Sequence, residues 1–514
     1  MTMKTVEISR RKLNKYACAC AVVGSMISII FGYGELSLFR PLHVHILWFD
    51  TSVMSGAMIF IKEEFTIKEG QVEVLAGILN LCAFVGSLCA GRTSDYIGRR
   101  YTIVMASVFF MLGSILMGYA PNYGVLIAGR CTAGVGVGFA LMIAPVYAAE
   151  ISSANTRGFL SSLPEIGISV GVLLGYISNN LFAKLSLELG WRMMLGIAAV
   201  PSLLLAIVIL KMPESPRWLI MQGKVGEAKK ILYKVCDDCE EAEQRLKDIK
   251  RAAGIDENCT ADVVKIPKSR TEGEAGVWGE PLIRPTPIVR RMLIAGVGIH
   301  FFEHATGPEA VILYGPRIFR KAGVMERRKL LMATVGVGLT KLTFIMISTF
   351  IIDKIGRRKL LLFSIAGMIV TLTGLATCLT VVERADEKLL WALVLSLIFV
   401  YGFIMFFNIG LCPVCWVYSS EIFPTKLRAA GVSISVGVNR VMNATVSMTF
   451  LSLSSAITIG GAFYLFASVS VVAWFFVYFC LPETKGRSLE EMEEVFSKDG
   501  DNKNEKKHLE LVKS

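Results

Sequence analysis

The chain has 514 residues, 54% of them hydrophobic and 19% charged, with a mean hydropathy of +0.56. A soluble globular chain carries nearer a quarter charged residues, and the apolar residues here fall in long runs, so a soluble enzyme is excluded and an all-α polytopic membrane protein is expected. The formal net charge of +12 gathers mainly in the loops on one side of an alternating topology, where it sets orientation rather than binding nucleic acid.

Residues 1–16 are polar and basic without the pattern of a cleaved signal, and read as a cytosolic N-terminus. Apolar runs then lie near 17–33 continuing at 50–61, and at 71–91, 101–120, 124–148, 159–183 and 192–212. They form an N-terminal six-helix half over residues 17–212. Residues 213–291 are polar, rich in Lys, Glu and Asp, and read as a cytosolic loop with short helices. A C-terminal six-helix half follows over 292–481, with runs at 292–322, 330–352, 359–381, 390–418, 427–452 and 456–481. Residues 482–514 are a cytosolic tail, since twelve spans return the chain to its starting side.

The two halves repeat one another. GRTSDYIGRR (Gly91–Arg100) follows the second span and IIDKIGRRKL (Ile351–Leu360) the eighth, with Asp95 and Asp353 258 residues apart. Glu150 and Glu421, and likewise Arg157 and Arg428, are 271 apart, and PESPRW at Pro213 precedes PETKGR at Pro482 by 269. Motif pairs at nearly one offset indicate a duplicated six-helix unit. Such halves place a substrate at their interface near the bilayer midplane and alternate access by rocking.

The short charged loops between spans offer a gate. Asp95 and Asp353 are expected at helix N-termini, and Arg99, Arg100, Arg357 and Arg358 bridge to acidic helix ends. Glu150 with Arg157, and Glu421 with Arg428, complete the network, which holds the cytosolic face shut. The plainer reading of the same charges is topology control. The Gly134, Gly136, Gly138 run allows close helix approach; with no strand before it, it is not a nucleotide loop. Cys236 and Cys239 make one CxxC in a charged loop, too little for a metal or redox site. No metal or other cofactor is expected.

These motifs, with PVYAAEI, PESPRWL, WVYSSEIFP and PETKGRSLEE, resemble those of the sugar porter family of the major facilitator superfamily, and span most of the chain. GIHFFEHATGPEAVILYGP (Gly298–Pro316) and GVNRVMNATVSM (Gly437–Met448) are similar to the plant polyol/monosaccharide branch. The resemblance implies the major facilitator fold of twelve helices and a proton-coupled symporter of polyols or monosaccharides in the plasma membrane, acting as a monomer in the lipid bilayer. A facilitative uniporter and a non-transporting sensor on the same scaffold are the alternatives.

An ionisable group inside a span costs roughly 2.5–3.5 kcal/mol, which makes each one a functional candidate. By resemblance, Asp50 is the proton-accepting carboxylate and Arg130 its partner. Separating the two lets the carboxylate protonate, and each protonation state then favours a different conformation. A structural salt bridge is the other reading. Glu165, Glu303, His304, Glu309 and Lys341 form the substrate cluster, carboxylates accepting from adjacent hydroxyls and Lys341 serving as counter-ion. The alternative is a buried charge network that fixes helix packing. Trp416 and Tyr314 offer apolar faces to the C–H side of a sugar alcohol, and Asn439 and Asn443, one helical turn apart, add donors and acceptors.

One departure from the family stands out. Its FGY runs directly into the Asp, whereas here the sixteen residues Gly34–Phe49 intervene, Pro41 among them. Without them residues 17–61 make a tilted helix of about 43 Å; with them the run would reach about 67 Å, too long to span straight. Residues 34–49 are either an atypical insertion in the first helix or extra codons of a splice or gene-model form, in which transport is inactive. His43 and His45 within it lack further ligands for a metal.

Overall fold

The structure is a computed structural model, and describes residues 14–36, 69–153, 156–171, 192, 195–236, 238–256, 259, 261–264, 285–311, 327–384, 390–424, 427–487 and 492–496. The described residues are helical, with no strand among them. Six helical stretches among them are long and apolar enough by themselves to cross a membrane.

The N-terminal half contributes α1 (Lys15–Leu36), α2 (Glu69–Ile97), α3 (Arg99–Gly118), α4 (Tyr123–Ile151), α5 (Arg157–Ser161) and α6 (Ala199–Ile209). Three short helices follow, α7 (Pro216–Met221), α8 (Val225–Val235) and α9 (Cys239–Ala252). The C-terminal half holds α10 (Pro287–Ala305), α11 (Arg327–Ile355), α12 (Arg357–Arg384), α13 (Leu390–Ile409), α14 (Leu411–Ile422), α15 (Arg428–Ile457) and α16 (Ile459–Cys480), and α17 (Met492–Phe496) lies in the tail. Each of the twelve apolar runs coincides with one of these helices in whole or in part; α13 and α14 together carry a single run.

Local chemistry sets where the helices start. Asn122 caps α4 by accepting from the Val125 N–H, and Thr286 does the same for α10 from Val289, with Pro287 at the first position. The glycine stripe of α4 acts as the sequence indicates. A side chain at Gly134 or Gly138 would run into the backbone of α2, at Leu79 and Ala83, and one at Gly86 into Val135. The two backbones therefore lie in contact. Helices α7–α9 close over a small core of their own that includes Leu219, Leu232, Leu246 and Ile249.

Candidate functional site

The charged end of the molecule is built twice. In the N-terminal half the Arg99 guanidinium forks onto Glu150, with Nε–Oε2 at 3.1 Å and Nη2–Oε1 at 3.2 Å, and pairs with Asp95 at 3.4 Å. In the C-terminal half Arg357 pairs with Glu421 at 2.8 Å and Asp353 at 3.1 Å. Ser215 and Thr484 donate to these glutamates at 2.5 and 2.9 Å, and Tyr147 and Tyr418 donate to the Pro213 and Pro482 carbonyls. Every member has its counterpart at the sequence offset of the duplication.

The helix N-termini hold different carboxylates from those expected. Asp95 and Asp353 lie in the last turns of α2 and α11, where each meets the arginine four residues on. It is Glu214 that receives the Arg99 and Arg100 N–H groups, at 2.9 and 3.2 Å, and Glu483 that receives those of Arg357 and Arg358, at 2.8 and 3.1 Å. The turns allow this because Gly98 and Gly356 adopt φ of 97° and 99°, where a side chain would strike the incoming glutamate. PES and PET thus carry the caps.

Among the contacts that join the halves at this end, two engage the carboxylates. Arg428 Nη1 reaches Glu150 Oε1 at 3.4 Å, and Asp353 Oδ2 accepts from the Phe159 N–H at 3.0 Å. Arg217 and Arg245, from the connecting segment, donate to the last carbonyls of α4 at Glu150 and Ser152. Arg100 and Arg358 bond backbone carbonyls at Met212 and Tyr478 rather than acidic side chains. The side chain of Arg157, at the start of α5, lies outside the described residues.

A polar cluster is buried at mid-height in the C-terminal half. Asn439 donates to Glu303 Oε2 at 2.7 Å and its amide nitrogen lies 3.2 Å from His300 Nδ1. Arg440 Nε donates to Asn439 Oδ1 at 2.9 Å, and its Nη2 lies 3.2 Å from His304 Nε2. Asn443 donates to Glu309 at 2.9 Å and accepts from Asn80 of α2 at 3.0 Å, linking this cluster to the other half. Glu165 likewise faces it across the halves, accepting from the Cys412 thiol at 3.4 Å. The Lys341 and Arg440 charges act on both Glu165 and Glu309. Trp416 packs edge-on against His300, ring centroids 4.9 Å apart, and its buried indole N–H has no partner among the described residues.

Glu165, Glu303, His304, Glu309, Lys341, Trp416, Asn439 and Asn443 thus lie in one region. Arg130 is buried on α4, while Asp50 and Tyr314, and His43 and His45 of the insertion, lie outside the described residues. Helix α1 continues as far as Leu36, three residues into the 34–49 stretch. Sequence reasoning passed over His300, Arg440, Cys415 and Asn80. Arg440 had a usable signal, since a guanidinium within an apolar run carries the same cost as the carboxylates that were noticed.

The family model described as Sugar (and other) transporter matches residues 37–496. The chain belongs to that family of membrane transporters. Relatives from Arabidopsis thaliana include a protein named probable polyol transporter 6, 62% identical over 95% of this chain and 96% of its own length. Another, named polyol transporter 5, is 53% identical over 95% and 87% respectively. Among solved structures, the proton:xylose symporter XylE bound to 6-bromo-6-deoxy-D-glucose superposes with a TM-score of 0.79 at 24% identity, covering 95% of this chain and all of that one. The inward-open form of XylE from E. coli gives 0.64 at the same identity, covering 94% and all of that chain. The fold is the major facilitator fold.

Proposed function

We propose that this transporter is a proton-coupled symporter of polyols, taking some monosaccharides as well, across the plasma membrane by alternating access, with both termini cytosolic and the chain working as a monomer. The observation that carries the reading is the buried cluster of Glu303, Glu309, Asn439, Asn443, His304 and Arg440, bridged to the opposite half through Asn80 and Glu165. A linear polyol offers only hydroxyl groups, each a donor and an acceptor. Carboxylates that accept, amides that do both, and a fixed guanidinium match that chemistry, and a ligand between the halves has differential contacts in the two access states. The names of these relatives point to the same substrate class. In this reading Glu150, Arg99 and Arg428, with Glu421, Arg357, Arg157 and Asp353, form the cytosolic gate, and Asp50 with Arg130 couples the proton.

The test is uptake of labelled sorbitol, mannitol, inositol and glucose into yeast lacking endogenous carriers, with and without an inward proton gradient. Polyol uptake that rises with the gradient is the expected result, and Asp50→Asn should abolish the rise. Uptake indifferent to the gradient in the intact chain makes it a uniporter. The insertion favours a second reading, an inactive form, because it stands between FGY and Asp50. Transport that appears only when residues 34–49 are deleted would establish it.

A further inference from the structure

Three potential metal ligands converge at the edge of the polar cluster, and two of them, His300 and Cys415, play no part in the reading above. His300 and Glu303 lie one turn apart on α10, and Cys415 faces them from α14. Their ligand atoms, Nδ1, a carboxylate oxygen and Sγ, all fall within 4.8 Å of one another. His300 Nδ1 is 3.1 Å from Cys415 Sγ and 3.5 Å from Glu303 Oε2. Zinc bonds of about 2.0–2.3 Å at tetrahedral angles set neighbouring ligand atoms about 3.3–3.6 Å apart. The two distances from Nδ1 thus stand close to that spacing already, and all three residues are buried.

Three groups approach Nδ1: the Asn439 amide nitrogen, the Cys415 thiol and the Glu303 carboxylate. Nε2 is buried and has no partner among the described residues. A ring proton held on Nε2 leaves Nδ1 with its lone pair toward the thiol and the carboxylate. A nitrogen lone pair, a thiol that ionises on metal binding and a carboxylate make a set that prefers zinc or cadmium to magnesium or calcium.

We propose that His300, Glu303 and Cys415 form a binding site for a thiophilic divalent cation, of the Zn2+ or Cd2+ class, that ties α10 to α14 beside the transport cluster. The Cys415 proton leaves to solvent as the thiolate–metal bond forms. The Asn439 amide must swing away, so the cation takes Glu303 from the hydrogen bond it makes at present. A cation there withdraws Glu303 from the cluster that the proposed function assigns to substrate, so its effect is inhibition.

The experiment uses the full chain, purified in detergent, stripped with chelator, and carrying Cys236→Ser and Cys239→Ser to remove the CxxC pair. Titration with CdCl2, followed by the thiolate-to-cadmium charge-transfer absorption, should saturate at one equivalent. Cys415→Ser should remove the signal and His300→Gln should weaken binding at least tenfold, whereas Cys412→Ser should leave it. The binding assay does not require transport, so it stands whether or not polyols are the substrate. In an active preparation, ZnCl2 should inhibit uptake by the parent and not by Cys415→Ser. Absence of the absorption in the parent, or its survival unchanged in both Cys415→Ser and His300→Gln, overturns the proposal.

Discussion

Asp95 lies just beyond the predicted second span, with one carboxylate oxygen 3.4 Å from Arg99 and the other buried without a hydrogen-bond partner among the described residues. Burial pushes its carboxyl up to about 6; Arg99 pulls it down and nearby Glu150 pushes it further up. A folded-state value above the ordinary one means that the folded protein holds this proton more tightly than the unfolded chain. The stability this contributes is complete below the ordinary carboxylate value, about 4, and is lost as pH rises through about 6. Glu214 is raised as well, by burial against the backbone N–H bonds of Ser215 and Arg100 that lower it, so it acts in the same direction. Asp95→Asn isolates the first contribution. The variant and the parent should melt alike near pH 4, and the variant should become the more stable by pH 7. Thermal unfolding followed across that range checks this, and a gap that does not change with pH would count against it.

Between α2 and α4 the contact is backbone on backbone, and its energetics belong to the pair of helices rather than to a residue. A side chain at Gly138 would meet the Ala83 carbonyl and the Ser87 N–H, neither of which is the movable end of a side chain. The helices would have to separate, and overpacking of this kind costs about 1–3 kcal/mol. Gly138→Val should therefore lower the melting temperature and the yield of monodisperse protein in size-exclusion chromatography. Gly124→Ala, at the solvent-facing start of the same helix with only the Asn122 side chain nearby at 3.4 Å, should change neither. This glycine stripe was legible from sequence because spacing alone encodes close approach. The same holds for the helix set and the duplication, which follow from run length and repeated motifs. The caps were not legible. That Glu214 rather than Asp95 sits at the α3 N-terminus depends on a chain segment 115 residues away returning to Gly98, and no local pattern records that return. Arg440 is legible as a guanidinium within an apolar run, but its role emerges only when α10 and α15 bring His304, Asn439 and the carboxylates around it.

At the scale of the molecule, the decisive contact is the one that crosses the halves while also serving one of them. Glu150 accepts the Arg99 fork within its own half and Arg428 from the other, all three groups being buried. The duplication predicts the mirror contact, Glu421 with Arg157, on the opposite side of the same end. Removing one partner of a buried pair leaves the other uncompensated, at about 3–5 kcal/mol, and the share that belongs to the Arg428 contact falls on the closed state alone. Glu150→Gln should shift the population toward opening at the charged end and cut uptake by more than tenfold. Arg428→Gln should act in the same direction but less severely, because Glu150 keeps Arg99. If the two residues act through one contact, the double variant should resemble Glu150→Gln rather than multiply the two losses. Uptake of labelled sorbitol by the four forms gives the coupling, and modification of a cysteine placed at Ser433, which bonds the Ser87 carbonyl across the halves, reports the opening. Additive losses, with no gain in modification, would mean that Glu150 supports only its own half and that closure is carried by other contacts such as Asp353 with Phe159.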